Sequence, residues 1–240
     1  MKTLAHPGTR MSTRPGARAV TRRSALGLAT AALTALVAFA GVAPLGAHAA
    51  PVDDAVAELQ RDWEVIRYQA PAGERVRLFE ALATRAHTVS TTHAGQAAPL
   101  VWEGIIVSSL AGEKGGLGAL GLVKRAKALY EQSLQIDAKA LDGSAYNSLG
   151  VLYYKVPGWP VGFGDKAKAG ELLRQALALS PQGIDANFFY GEYLVETDRA
   201  DEARAYLERA VNAPARPGRQ VADTGRREEA RALLAKLKAS

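Results

Sequence analysis

Residues 169–181 read AGELLRQALALSP, and residues 203–215 read ARAYLERAVNAPA. Laid over one another they share an alanine, three residues, a leucine, two residues and a second alanine. The shared positions are Ala169, Leu173 and Ala176 in the first stretch and Ala203, Leu207 and Ala210 in the second. Apolar residues recurring at three- and four-residue steps lie on one face of an α-helix. Ala176 and Ala210 stand 34 residues apart, which marks a repeated unit rather than one extended helix. The same spacing recurs at Ala126, Tyr130 and Ser133 in AKALYEQSLQIDA.

Each such helix needs a partner that carries a small residue where the two cross. YNSLGVLYY supplies Leu149 and Gly150, and NFFYGEYL supplies Gly191. From Gly191 to Ala203 is 12 residues. That spacing, with the 34-residue period, resembles the tetratricopeptide repeat, in which an early glycine lets two helices approach and an alanine faces it. The earlier units are stretched. Gly104, in LVWEGIIVSS, precedes Ala126 by 22 residues, and Gly150 precedes Ala169 by 19. Two consecutive repeats thus carry an insertion between their helices, at residues 111–120 and 155–164.

The reading over the whole chain is all-α: tetratricopeptide-like helical hairpins stacked in a short right-handed solenoid with a C-terminal capping helix. A degenerate pair spans 53–90, repeats span about 98–138, 144–181 and 185–215, and the capping helix spans 223–239. Asp165, Asp198 or Asp201, and Asp223 or Thr224 are candidate N-caps, and Pro181 and Pro214 fall where helices should end. GIIVSSL at 104–110 is the one run that also fits a strand.

Residues 1–49 have the parts of a secretory signal: basic residues, the apolar run ALGLATAALTALVAFAGVAPLGA, and Ala47-His48-Ala49 before a polar segment. Cleavage is expected after Ala49. TRRSALGL at 21–28 fits a twin-arginine signal as well as a general secretory one, and Met11 is an alternative start. An uncleaved membrane anchor is the competing reading, opposed by Gly41 and Pro44. Of the 30 Lys and Arg, six lie in this leader, leaving 24 against 24 Asp and Glu. The remainder is formally neutral, so nucleic acid is not an expected partner. The chain has no cysteine, which excludes disulfides and a lipid anchor on cysteine. The expected location is periplasmic or secreted, with no stable membrane anchor after cleavage.

Motifs that would carry chemistry are weak. GLGALG at 116–121 satisfies G-x-G-x-x-G, with Asp142 downstream, but a dinucleotide site needs a preceding strand within a parallel sheet. His87 and His93 do not share a helix face, and no carboxylate is placed with them, so no metal is expected. Ser108, Ser109, Ser133 and Ser144 lack a G-x-S-x-G context. The sequence reads as a non-enzyme with no cofactor.

Binding is the alternative, because stacked hairpins present their first helices on a concave surface. With Gly104, Gly150 and Gly191 as registers, the exposed positions are Ser108, Asn147, Val151, Tyr154, Phe188, Glu192 and Val195. Asn147 and Glu192 suit a partner's backbone or charge, and Tyr154 and Phe188 suit apolar contact, core packing being the other reading of the two rings. Trp159 and Phe163, in the inserted loop, act either as a plug folded over the groove or as a ligand-contacting lip.

YYKVPGWPVGFGDK at 153–166, preceded by WEGIIVSSLAGEKGGLGAL and followed by GRREEARALLAKL, resembles the T component associated with TRAP transporters, a family of exported tetratricopeptide proteins. The likeness runs from about Trp63 to Leu237. It implies a non-enzymatic periplasmic protein that partners the solute-binding protein of a tripartite uptake system. Binding in the groove is the expected function, of a protein partner and of a small organic solute sheltered there. A general periplasmic scaffold for envelope assembly is the second reading, and a nucleotide-binding enzyme using GLGALG is the third.

Overall fold

The computed structural model describes residues 51–239, and the leader read over 1–49 lies outside them. Among the described residues there are nine α-helices and no strand. Eight form four pairs: α1 (Pro51–Tyr68) with α2 (Ala72–Thr92), α3 (Ala97–Lys114) with α4 (Ala119–Ile136), α5 (Ala140–Lys155) with α6 (Lys166–Leu179), and α7 (Ile184–Glu196) with α8 (Ala200–Asn212). The ninth, α9 (Gln220–Ala239), follows the last pair. The GIIVSSL run lies inside α3, so the strand a dinucleotide unit would need is helix.

The first helix of each pair touches its own partner and also the first helix of the next pair, α1 on α3, α3 on α5 and α5 on α7. The odd-numbered helices therefore form the inner layer of the stack. The crossings are set where the sequence places glycine. A Cβ on Gly150 would lie 2.8 Å from Leu173 Cγ, and one on Gly191 would lie 2.9 Å from Leu207 Cδ2. In the first stretched repeat Tyr130 takes the place of these leucines, and a Cβ on Gly104 would lie 2.4 Å from its Cε1. The facing alanines Ala126, Ala169 and Ala203 are fully buried. One small residue on each side of the crossing brings the backbones close enough to bury the leucines and Tyr130.

Helix ends show where propensity is overridden. Asp165 caps α6, its carboxylate accepting from the Lys168 amide at 3.0 Å. The other expected caps are corrected. Arg199 stands at the N-cap of α8 with no side-chain capping bond, its guanidinium instead pairing with Glu202, so neither Asp198 nor Asp201 caps the helix. Asp223 lies inside α9, where its carboxylate instead accepts from the Arg216 amide and guanidinium, both at 2.8 Å. At the start of α5, Leu141, Asp142 and Gly143 all take left-handed backbone angles, with φ of 50°, 55° and 77°. For the first two, that conformation costs on the order of 1–2 kcal/mol each. Regular helix follows.

α9 does more than cover the last pair. It packs on α7 and α8 and also on α1 at the far end of the chain. The seam is ionic. Glu64, almost fully buried on α1, accepts from the Ala222 amide at 3.1 Å and faces Arg219 Nε at 3.4 Å. Arg67 pairs with Glu229 at 2.9 Å. A Cβ on Gly225 would lie 2.3 Å from the Tyr68 ring, so α9 presses directly against α1. On the other side, Asp185 of α7 binds Arg226 and Arg216, each at 2.8 Å.

Two outcomes test this account. Gly104→Ala gains about 1 kcal/mol of helix propensity but drives a methyl into the immobile Tyr130 ring, at a cost of about 1–3 kcal/mol. A net loss of up to about 2 kcal/mol is expected in urea denaturation, and a midpoint above that of wild type would show that the crossing tolerates a methyl. The second concerns Asp185. Burial opposes its charge, but Arg226 and Arg216 outweigh burial and bring its pKa from 3.8 down to about 2. The folded state therefore holds the charge to lower pH than the unfolded chain, and this stability is present above the unfolded pKa and lost as pH falls towards about 2. Because a third of the side chain remains exposed, Asp185→Asn should cost only about 1–2 kcal/mol at neutral pH. The gap between the variant and wild type should close on acid titration between about pH 4 and pH 2, and a gap independent of pH would refute the pairing.

Candidate functional site: a central cavity

Because α9 bridges α7 and α1, the inner helices surround a cavity of about 1300 Å3. It follows the full length of α5, from Leu141 and Asp142 at the N-terminal end to Val156 and Pro157 at the other. Both insertions contribute to that second end, Leu117 from the turn before α4 and Val161 from the loop before α6. Leu117 and Val161 are also largely exposed, so this end presents apolar side chains to solvent.

Midway, the walls are aromatic and charged. Trp63 meets Tyr68 and Trp102 edge-on, each with centroids 5.9 Å apart. Opposite, Phe188 and Phe189 lie under Arg226, whose guanidinium carbon is 4.6 and 4.4 Å from their centroids. That cation is neutralised by Asp185 and by Glu229, the latter at 2.5 Å. Arg226 is held well above its ordinary pKa: burial alone would lower it, but Tyr68, Asp185 and Glu229 overcome that.

Of the positions expected on the concave face, Ser108, Asn147, Val151, Phe188 and Glu192 line the cavity. Asn147 is not the solvated residue that its type suggests: it is buried, and its Oδ1 has no hydrogen-bond partner. Phe188 is buried too, a wall residue rather than an exposed contact. Ser108 is occupied within the fold, bonding the Ile105 carbonyl and the Tyr130 hydroxyl at 3.0 and 3.1 Å.

Tyr154 is a correction. It is buried and does not reach the cavity, because its ring packs on Tyr193 and its hydroxyl donates to Glu192 at 2.5 Å. Burial, and then the Glu192 charge, push its pKa well up. Its place is behind Glu192, which Lys155 also contacts at 3.1 Å. Val195 is likewise outside the lining.

The inserted loop does not plug the cavity with its tryptophan. Trp159 is 90% exposed at the loop tip. Phe163 anchors the loop instead, packed edge-on against Tyr153 at 5.5 Å. The glycines around it are sterically required: a Cβ on Gly164 would lie 1.9 Å from the Val156 oxygen, and one on Gly162 would lie 2.4 Å from the Pro157 oxygen.

Two charged groups escaped the sequence reading. One is the Arg216, Arg219 and Arg226 set with Glu64 and Asp185. The other is Glu103, a buried carboxylate bonded by Ser90 and Arg125 and facing His87 Nδ1 at 3.1 Å. His87 thus does have a carboxylate beside it. The Ser90 hydroxyl donates to Glu103 rather than to the imidazole, an arrangement that holds α2 to α3. A lone acid amid apolar residues, Glu103 in LVWEGIIV or Glu64 in DWEVI, was the available signal, since such residues are fully buried only when paired.

Residues 161–222, from the inserted loop to the start of α9, match the tetratricopeptide repeat family. No curated protein matches the chain. Among solved structures, the chain is similar to a thermophilic tetratricopeptide protein of Thermus thermophilus, with TM-score 0.50 and 18% identity over 78% of this chain and 89% of that one. Lower similarity is found to a mutant of MamA, at TM-score 0.39 and 22% identity over 78% and 98%. A putative kinesin light chain of Podosopora anserina with nearly identical TPR-like repeats gives 0.38 and 21% over 80% and 96%. The fold is the all-α helical-repeat fold of tetratricopeptide proteins.

Proposed function

We propose that this protein is an exported, non-catalytic binding protein, the accessory component of a periplasmic solute-uptake system of the TRAP type. In this reading the inserted-loop end of the cavity docks on the solute-binding protein, and the cavity shelters a small organic solute. The observation that carries it is the cavity itself, walled on one side by α9 and bordered at one end by Leu117 and Val161. Both the cavity and that border arise from what this chain adds to plain hairpin repeats: a terminal helix that reaches α1, an α3–α4 hairpin whose extra residues are mostly helix, and a loop insertion before α6. The secretory pattern of residues 1–49 and the likeness of residues 153–166 to the T component support the location and the partner. Ligand pockets typically hold about 300–1,000 Å3, so a cavity of this size suits a solute with room for water.

The test is in-cell crosslinking from the periplasm followed by capture of the mature protein. Recovery of a solute-binding protein is expected, and recovery of envelope-assembly factors in its place would refute the reading. Trp159→Ala should reduce that capture severalfold. Because the ring is almost wholly exposed, the same change should shift stability by no more than about 0.5 kcal/mol in thermal melts. Unchanged capture with Trp159→Ala would remove the loop from the interface.

A further inference from the structure

We propose that the seam between α9 and α1 is a reversible latch. α9 stays on α7 and α8 and releases α1, which turns the walled cavity into the open concave groove of a plain hairpin array. The Trp63 and Trp102 side is then uncovered to an occupant that enters sideways. The inference does not depend on which partner or solute the protein takes.

α9 is held differently on its two sides. Towards α1, one α9 side chain, Ala222, belongs to the buried core around α1 to α4, and the closest approach is made by Gly225, which has no side chain to pack. Towards α8, Ala230, Leu233, Leu234 and Leu237 share a core with Leu207 and Tyr206. Parting α9 from α8 would expose that carbon surface to water, and parting it from α1 exposes far less.

The polar contacts rank the same way. Towards α7 and the turn before α9, Arg226 and Arg216 each meet Asp185 at 2.8 Å, and Asp223 accepts from the Arg216 amide and guanidinium at 2.8 Å. Across the seam the contacts are looser: the Ala222 amide to Glu64 at 3.1 Å, Arg219 Nε to Glu64 at 3.4 Å and the Tyr68 hydroxyl to Glu229 at 3.5 Å. Arg219 also reaches over the Trp102 ring, 5.1 Å from its centroid. Arg67 and Glu229 are closer, at 2.9 Å, but that pair is already 37% and 27% exposed, where an ion pair is worth least. Glu64 and Arg219 are buried while the seam is shut and recover their hydration when it parts, which offsets the contact they lose. Few apolar contacts and wet polar ones mark a part that opens by itself, below the energy of global unfolding. Opening also leaves a local sign. Ala222 lies in the first turn of α9, where amides have no partner within the helix, so Glu64 caps α9 from α1 and its departure frees that N–H.

The test uses the full chain, which has no cysteine of its own, with spin labels on paired cysteines. Arg61→Cys with Glu228→Cys spans the seam from exposed positions of α1 and α9, and Glu208→Cys with Glu228→Cys spans α8 and α9. Pulsed electron resonance of the first pair should give a short and a long distance. The share of the long one should rise about fivefold as salt goes from about 0.1 M to about 1 M, the scale of one partly exposed ion pair. The second pair should keep one distance throughout. The Ala222 amide supplies a readout without labels: its hydrogen exchange should quicken with salt in step with the long distance, while that of Ala230 stays slow. A single seam distance at every salt concentration, lengthening of both pairs together, or exchange of Ala222 only as slow as that of Ala230 would each overturn the latch. The measurements need neither solute nor partner, so the latch can fall while the proposed function stands.

Discussion

The contact between α9 and α1 is the one on which the site depends. Hairpin repeats stacked in a row present an open concave face, and each unit touches only its neighbours. Here the last helix returns to the first. Glu64, Asp223 and Arg226 are all buried at or beside that seam. A buried charge is tolerable only with its partner present, and removing one member strands the other. Closure therefore forms as a set: Glu64 needs the Ala222 amide and Arg219, while Arg226 needs Asp185 and Glu229. The same feature distinguishes this seam from an apolar one. On separation its ions regain water, whereas separated leucines would expose carbon surface.

Closure also gives the insertions their meaning. Both extra segments follow the C-terminal ends of inner helices, so both arrive at one end of the cavity. They differ in how they are fixed. The segment before α4 turns through Gly115 and Gly116 with φ of 60° and 56° and leaves Leu117 in solvent. The longer segment is pinned by Phe163 on Tyr153 and by the Asp165 amide, which donates to the Tyr153 carbonyl at 2.8 Å. A loop so anchored presents Trp159 at its tip on a fixed base. The opposite end has no such elaboration, only the left-handed turn of Leu141, Asp142 and Gly143.

The repeats were legible because their information is local. Gly150 and Leu173, or Gly191 and Leu207, lie within one hairpin, so period and spacing alone place them against each other. The concave positions were legible to the same extent. Register from the glycines put Ser108, Asn147, Val151, Phe188 and Glu192 on the inner face, where the cavity lies. It could not foresee burial, because a groove residue becomes a wall residue only once the far side is covered. The register also failed one turn further on, at Tyr154. There the neighbouring α7 supplies Glu192 and Tyr193, which draw the side chain between the helices.

The charged wall was illegible for a more basic reason. Its contacts join residues about 160 positions apart, Glu64 to Ala222 and Arg67 to Glu229, and no periodicity within a repeat encodes a meeting of the two ends. In the sequence, Arg226 reads as surface charge on a terminal helix of Arg, Glu and Lys, and Arg219 falls in the segment before it. The structure distinguishes them by coordination rather than by composition: both line the cavity, but Arg226 holds two carboxylates and Arg219 only Glu64, at 3.4 Å. A solenoid whose ends meet is no longer the sum of its nearest-neighbour interfaces. A change at the seam should be felt in the shape of the cavity as well as in the stability of the last repeat, so here fold and binding surface share the same residues.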